Sequence, residues 1–268
     1  MSELARAVRQ ITGHTLTDIA RLPGGDISGA SRIRLDNGEE IVAKQGEHVA
    51  AEGRMLEAMA ELGALVPQVR GSAGGVLLID WIDGRGSLSG AAWNSLADSL
   101  AALRTTGEDA YGWPEDYALR HVTVRNERTS DWPAFWRDHR LACHLPHLPA
   151  DLAGRIEHLC SAMADLLPAR PAPALVHGDL WGGNVIVDRE STAWLIDPCA
   201  FYGDREVDAA SLTVFDRPPA SFFDRLELEP GWRERQPIYR LWIWLVHVRL
   251  FGGAYRSAVE RELDALGF

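Results

Sequence analysis

The polar and apolar positions change period along the chain. From Glu3 to Thr12 the apolar residues fall at helical spacing. Alternation follows: "DIARL", "SRIRL" and "EEIVAK" read as a β-meander of about three strands, with Asp36-Asn37-Gly38 as the hairpin turn. "HVAAEGRMLEAMAEL" returns to helical spacing and ends at Gly63, a C-cap position. "GGVLLIDWIDG" is a further apolar strand bounded by glycines. After Ser89 the pattern is mostly helical: "AAWNSLADSLAALRTT", "DWPAFWRDHRLACHL", "LAGRIEHLCSAMADLL", "IYRLWIWLVHVRLF" and "AYRSAVERELDAL" each read as a helix. "PARPAPA", residues 168–174, is a short stiff connection and not a domain linker. The expectation is an α+β chain with a β-rich N-terminal lobe over residues 1–82 and a mainly helical C-terminal lobe over 83–268.

One stretch breaks the helical pattern. "LVHGDLWGGNVIVDRESTAWLIDP", Leu175 to Pro198, sets Asp179, Asn184 and Asp197 at or beside the ends of short apolar runs. Such runs read as buried strands, and a polar group beside a core is costly unless paired. Three oxygen-bearing side chains gathered in one cleft suit a hard divalent cation and a hydroxyl that must lose its proton. Kinases use this order: an Asp at the nucleophile, an Asn on the metal, and a second Asp on the metals that bridge the phosphates. His177, Asp179 and Asn184 fit the catalytic-loop spacing, and "IDP" stands where a kinase has Asp-Phe-Gly. Taken singly, His-Gly-Asp is also a common turn, and Asp197-Pro198 a strand end.

The N-terminal lobe supplies matching parts. Lys44 ends the strand "EEIVAK" and is placed to reach the α- and β-phosphates of a nucleotide, with Glu52, early in the next helix, as its ion-pair partner. Glu57 on the same helix is the competing partner, and a solvated surface pair is the plain alternative. "GGDISGAS", residues 24–31, holds Gly24 and Gly25, whose backbone could approach phosphates closely. Ser28 there either bonds a phosphate or caps the turn.

Composition narrows the setting. The formal net charge of −11 argues against nucleic acid or an anionic membrane as partner, while a locally positive site can still take a phosphate ligand. Cys143, Cys160 and Cys199 form no CxxC pair, which suggests a reducing cytoplasm without a disulfide framework. The N-terminus has no apolar signal-peptide core, and "IYRLWIWLVHVRLFGG" is too short and too charged to span a bilayer. "CHLPHLP" lacks a second ligand pair for a metal, and no G-x-S-x-G motif occurs.

With "HGDLWGGN", "IDPCAFYGDREVDAA", "DWPAFWRDHRLACHL" and "LVHVRLFGGAY" in this order, the sequence resembles the fructosamine kinase (ketosamine 3-kinase) family, within the aminoglycoside phosphotransferase-like branch of the protein-kinase-like fold. The resemblance spans nearly the whole chain. It implies an ATP- and Mg2+-dependent transfer to O3 of a ketosamine such as ribulosamine or fructosamine, free or protein-bound, in deglycation. By the same resemblance Asp179 is the catalytic base, Asn184 and Asp197 bind magnesium, and Lys44, with Glu52, meets the nucleotide phosphates. Ile79, Asp80, Trp81 and Ile82 form the hinge that receives adenine through backbone groups. Trp181 either packs on the substrate or anchors the loop. Arg205 and Glu206 either touch substrate or, like Asp208, brace the loop.

The sequence departs from the family in places: Gly183 stands where Ser is usual, and Asp204 where His is usual, a change that could alter the substrate rim. Asp26 stands near a position where some relatives carry Cys. Gly178 replaces the Arg of regulated protein kinases, and no Ala-Pro-Glu follows Asp197. The rival readings are an aminoglycoside or choline-type phosphotransferase and a catalytically silent nucleotide-binding protein.

Overall fold

The computed structural model describes residues 2–22, 29–104 and 108–268. In chain order its elements are α1 Glu3–Thr12, β1 Leu16–Arg21, β2 Ser31–Leu35, β3 Glu40–Gln45, α2 Val49–Glu61, β4 Val69–Ala73, β5 Val76–Asp80, β6 Gly84–Gly86 and α3 Ala91–Ala102. There follow β7 Tyr117–Leu119, β8 Val122–Val124, α4 Trp132–Trp136, α5 Ala150–Ser161, α6 Met163–Leu166, β9 Pro173–Val176, β10 Val185–Asp188 and β11 Ala193–Leu195. The last are β12 Phe201–Asp204, α7 Glu206–Phe215, α8 Ala220–Leu226, α9 Trp232–Phe251 and α10 Arg256–Leu266. The chain packs as two compact units: Met1–Ala102 with Gly183–Pro198, and Leu103–Gly182 with Cys199–Phe268.

The first unit is built on an antiparallel sheet in the order β1-β2-β3-β5-β4. Period 2 sorts its two faces. Ile33, Leu35, Ile41, Ala43, Val76 and Leu78 bury one face against Leu4, Ala7 and Val8 of α1. Val42, Lys44, Leu77 and Ile79 occupy the alternate positions, and α2 packs there: a Cβ at Gly53 would lie 3.0 Å from Leu77 Cδ1. The β2–β3 hairpin turns through Gly38 at φ +86°, with Glu39 N–H donating to Asn37 Oδ1. Leu62 caps helix α2, and Gly63 follows in the left-handed region at φ +92°. A smaller sheet, β11-β10-β6, completes this unit.

The second unit carries more strand and more broken helix than periodicity suggests. Hairpin β7–β8 and strand β12 lie within the stretch read as mostly helical, while β9, the partner of β12, ends in the Leu175-Val176 run already read as a strand. "DWPAFWRDHRLACHL" is not one helix. Helix α4 opens behind the Asp131 cap, which accepts from Ala134 N–H, and widens into a π-helical turn at Arg137–Leu141. A 3₁₀ turn containing Pro146 then ends it. The wide turn directs Arg140 inward, where it is fully buried under the rings of Phe135, Phe201 and Trp242. Helix α9 begins six residues before the apolar run at Ile238, and its Arg240 pairs with Glu262 of α10. Among the described residues no helix is long and apolar enough to cross a membrane.

Candidate active site

In the first unit the site grows out of β3 and the β10–β11 hairpin. Lys44 faces α2 and is 2% exposed. The apolar face of α2 holds Val49, Met55, Leu56 and Met59, and Glu52 interrupts it at 5% exposure, while Glu57 points to solvent. Lys44 Nζ donates to Glu52 Oε1 and to Asp197 Oδ1, the latter at 2.6 Å. Burial loosens the ammonium's hold on its proton, but the two carboxylates outweigh it and hold Lys44 above the ordinary lysine range.

Asp197 arrives there by register. Val185 pairs with Leu195, and Ile196 N–H donates to Asn184 O at 3.0 Å, so Asn184 and Asp197 emerge at the same end of the hairpin. At the other end Asp188 accepts from Glu190 N–H, Thr192 N–H and Trp194 Nε1. Asp197 sits at φ +56°, a conformation that costs a non-glycine residue on the order of 1 kcal/mol. Asn184 is 7% exposed and the Asp197 side chain 32%. One amide oxygen and one carboxylate in a cluster with surplus negative charge fit a Mg2+ that completes its shell with waters and phosphate oxygens.

The remaining N-terminal residues are placed as follows. Ile79 is buried in β5. Asp80 N–H donates to Gln68 O, and its carboxylate takes Arg70 Nε at 2.5 Å. The Arg32 guanidinium lies 4.7 Å from the Trp81 ring centroid, and Ile82 O accepts from Gly84 N–H. Gly24, Gly25, Asp26 and Ser28 lie outside the described residues.

In the second unit β9 delivers the His177–Gly182 loop. Asp208, in the first turn of α7 and 3% exposed, accepts from His177 N–H at 2.7 Å and Gly178 N–H at 3.0 Å. Burial pushes its carboxyl up to about 6, against those two donors. Gly178 has φ +78°, and a Cβ there would lie 2.2 Å from Cys199 O, so no larger residue fits without moving the chain. Trp242 Nε1 reaches Gly178 O at 3.4 Å, and Cys199 N–H donates to His177 O. Asp179 N–H donates to His177 Nδ1 at 3.3 Å. Leu180 is buried at 1% while Trp181 is 41% exposed, so Leu180 is the loop's apolar anchor.

Three features escape sequence reasoning. Asp216 holds the far end of the loop, accepting from Gly182 N–H at 2.7 Å. Arg140, which donates to Arg125 O and Asn126 Oδ1, has its guanidinium pushed down to about 10 by burial. Asp204 requires a correction: it is 3% exposed and lies in the core, not on a substrate rim. It accepts from Tyr239 Oη–H at 2.8 Å and Glu206 N–H at 3.0 Å. Glu206 is itself buried at 2% and takes Arg235 through both carboxylate oxygens, while Arg205 donates to Glu227 O. The acidic run "DREVD" signals this region, but only the packing separates its buried members from exposed ones.

Known proteins match this chain throughout. The probable ketoamine kinase of Synechocystis sp. is 35% identical over 236 residues, covering 82% of this chain and 79% of that protein. A crystal structure from Thermobifida fusca, provisionally assigned as a fructosamine-3-kinase, superposes with a TM-score of 0.88 at 29% identity over 99% of both chains. Choline kinase LicA of Streptococcus pneumoniae shares the fold alone, with a TM-score of 0.68 at 15% identity over 97% of this chain and 96% of its own. The fold is the protein-kinase-like one. The family model for fructosamine kinase runs over residues 1–266: the chain belongs to the fructosamine kinase family.

Proposed function

We propose that the protein transfers the γ-phosphoryl group of ATP to O3 of a ketosamine, free or carried on a protein amine. The observation that carries the phosphoryl-transfer half is the buried Lys44 ammonium, held between Glu52 and Asp197. A cation kept charged inside the protein is a phosphate contact already oriented for use. The ketosamine half is supported by the family assignment and by the relatives named for ketoamine and fructosamine.

In this reading Lys44 meets the α- and β-phosphates, and Glu52 fixes its direction. Residues 79–82 receive adenine through backbone groups. Asn184 and Asp197 would hold Mg2+, which neutralises charge on the phosphate oxygens when bound. Asp179 accepts the proton of the O3 hydroxyl as that oxygen bonds to the γ-phosphorus. The bond from phosphorus to the β-bridging oxygen breaks, and ADP leaves. A phosphate at C3 is prone to eliminate and release the amine, which would make the activity a deglycation step.

The test is ATP consumption with Mg2+ on ribulosamine- and fructosamine-modified lysine, an aminoglycoside and choline, with Asp179→Asn as blank. Turnover of the ketosamines alone, falling by about 10²–10⁴ in the variant, is expected. Turnover of only the aminoglycoside or choline would replace the acceptor, and ATP binding without any turnover would leave a silent binder.

A further inference from the structure

The second unit presents a feature at the end of the His177–Gly182 loop that phosphoryl transfer itself does not require. Trp181 and Phe215 are 41% and 42% exposed, large values for aromatic rings in a folded chain. They meet at 5.8 Å between centroids with a 66° interplanar angle, forming a corner and not a stack. Phe215 is the last residue of α7, so the next residue, Asp216, stands beside that corner and accepts Gly182 N–H through Oδ2. The neighbouring Arg217 directs its guanidinium to the carbonyl oxygens of Asp216 and Thr213. Behind Phe215, Trp244 and His247 pack at 5.5 and 5.2 Å. Burial holds His247 below the ordinary imidazole range, so the backing of the corner is neutral. Further along the same aromatic run, Arg120 lies 5.9 Å from the Phe251 ring centroid.

We infer that Trp181, Phe215 and Asp216 form a binding corner for the protonated secondary amine of the acceptor, making Phe215 and Asp216 specificity-determining residues. The inference rests on the ketosamine reading above and deepens it. A secondary alkylamine carries a positive charge near neutral pH. Two aromatic faces at an angle offer it cation–π attraction from two sides, and a carboxylate supplies the counter-charge. The corner begins two residues after Asp179 in the chain, so the amine would be read beside the loop that bears the base. A sugar ring alone has no cation to reward this arrangement. The corner therefore selects the amine-bearing ketose over a neutral one.

The experiment compares Nε-fructosyl-lysine with a neutral ketose ether in which oxygen replaces the amine nitrogen. It is run on the wild type, Asp216→Asn and Phe215→Leu. Asparagine keeps an oxygen for Gly182 N–H and removes only the charge. The wild type should favour the amine by tenfold or more in kcat/KM, expressed mainly in KM. Each variant should lose about tenfold more on the amine than on the ether. Calorimetric binding of both probes with a non-hydrolysable ATP analogue gives the same comparison without turnover. Equal losses on the two probes would assign Asp216 and Phe215 to loop support and overturn the inference alone. Amine-selective binding without turnover of either ketose would uphold the corner and sink the proposed reaction. No binding of either ketose would end both.

Discussion

Lys44 and Arg140 are both buried cations, one in each unit, and their surroundings differ in kind. Lys44 lies between two carboxylates, one of them Asp197 with a third of its side chain exposed, and its proton is held more tightly than usual. Arg140 donates to carbonyl and amide oxygens and lies among three aromatic rings, and burial weakens its hold on the proton. A cation matched by charge can change partners, because an incoming phosphate offers the same chemistry as the carboxylate it replaces. A cation held by carbonyls and ring faces has no equivalent exchange and fixes its neighbours instead. Trp242, which packs on Arg140, also reaches the carbonyl of Gly178 in the loop. The first arrangement suits a site that must bind and release, the second a site that must stay still.

The largest effect expected from this contrast is at Lys44. In Lys44→Met the proposed phosphate contact is removed, and kcat/KM for ATP should fall by about 10³. Glu52 and Asp197 would then face each other without a cation, a loss of about 3–5 kcal/mol in stability. Adding Glu52→Gln should restore much of the melting temperature and none of the activity. A double variant that regains turnover would show that Lys44 serves the fold and not the phosphates.

Arg140→Met should do the reverse. The oxygens of Arg125 and Asn126 lose their donor, which costs about 2 kcal/mol of stability in urea unfolding. The apolar side chain keeps the volume between the rings, so kcat of the folded variant should stay within about tenfold of wild type. A loss as deep as that of Lys44→Met in a folded protein would erase the distinction between the two cations.

How much of this can be read in the sequence depends on distance along the chain. The Lys44–Glu52 pairing is legible because it needs only two local periods: a strand that alternates faces and a helix whose first turn covers one of them. The Asn184–Asp197 juxtaposition is legible because a hairpin register carries both to one end. Asp204, Arg140 and Asp216 are not legible. Asp204 and Asp208 look alike in "DREVD", yet one is held by Tyr239 from α9 and the other by two loop N–H groups. Arg140 turns inward only because the helix widens by a π-turn, which no periodicity announces.

A third kind of buried charge differs from both cations, and its effect shows as a slope in pH. Asp204 is a carboxyl held by neutral donors, and burial first, then nearby Glu206, pushes it up to about 7 from an ordinary 3.8. Between about pH 4 and 7 the native state therefore holds a proton that the unfolded chain has released. This group's contribution to stability is complete below about pH 4 and is lost as pH rises through 7. Asparagine at this position does not titrate. The stability of Asp204→Asn relative to wild type should climb across that window, by at most about 1.4 kcal/mol per pH unit. His144, which burial pushes down to about 3, contributes with the opposite sign, so the difference between the two proteins, and not either curve alone, carries the result. Denaturant unfolding at pH 5, 6, 7 and 8 measures it. A flat difference would mean that Asp204 is ionised throughout, the Tyr239 hydroxyl and Glu206 N–H then offsetting the cost of its burial.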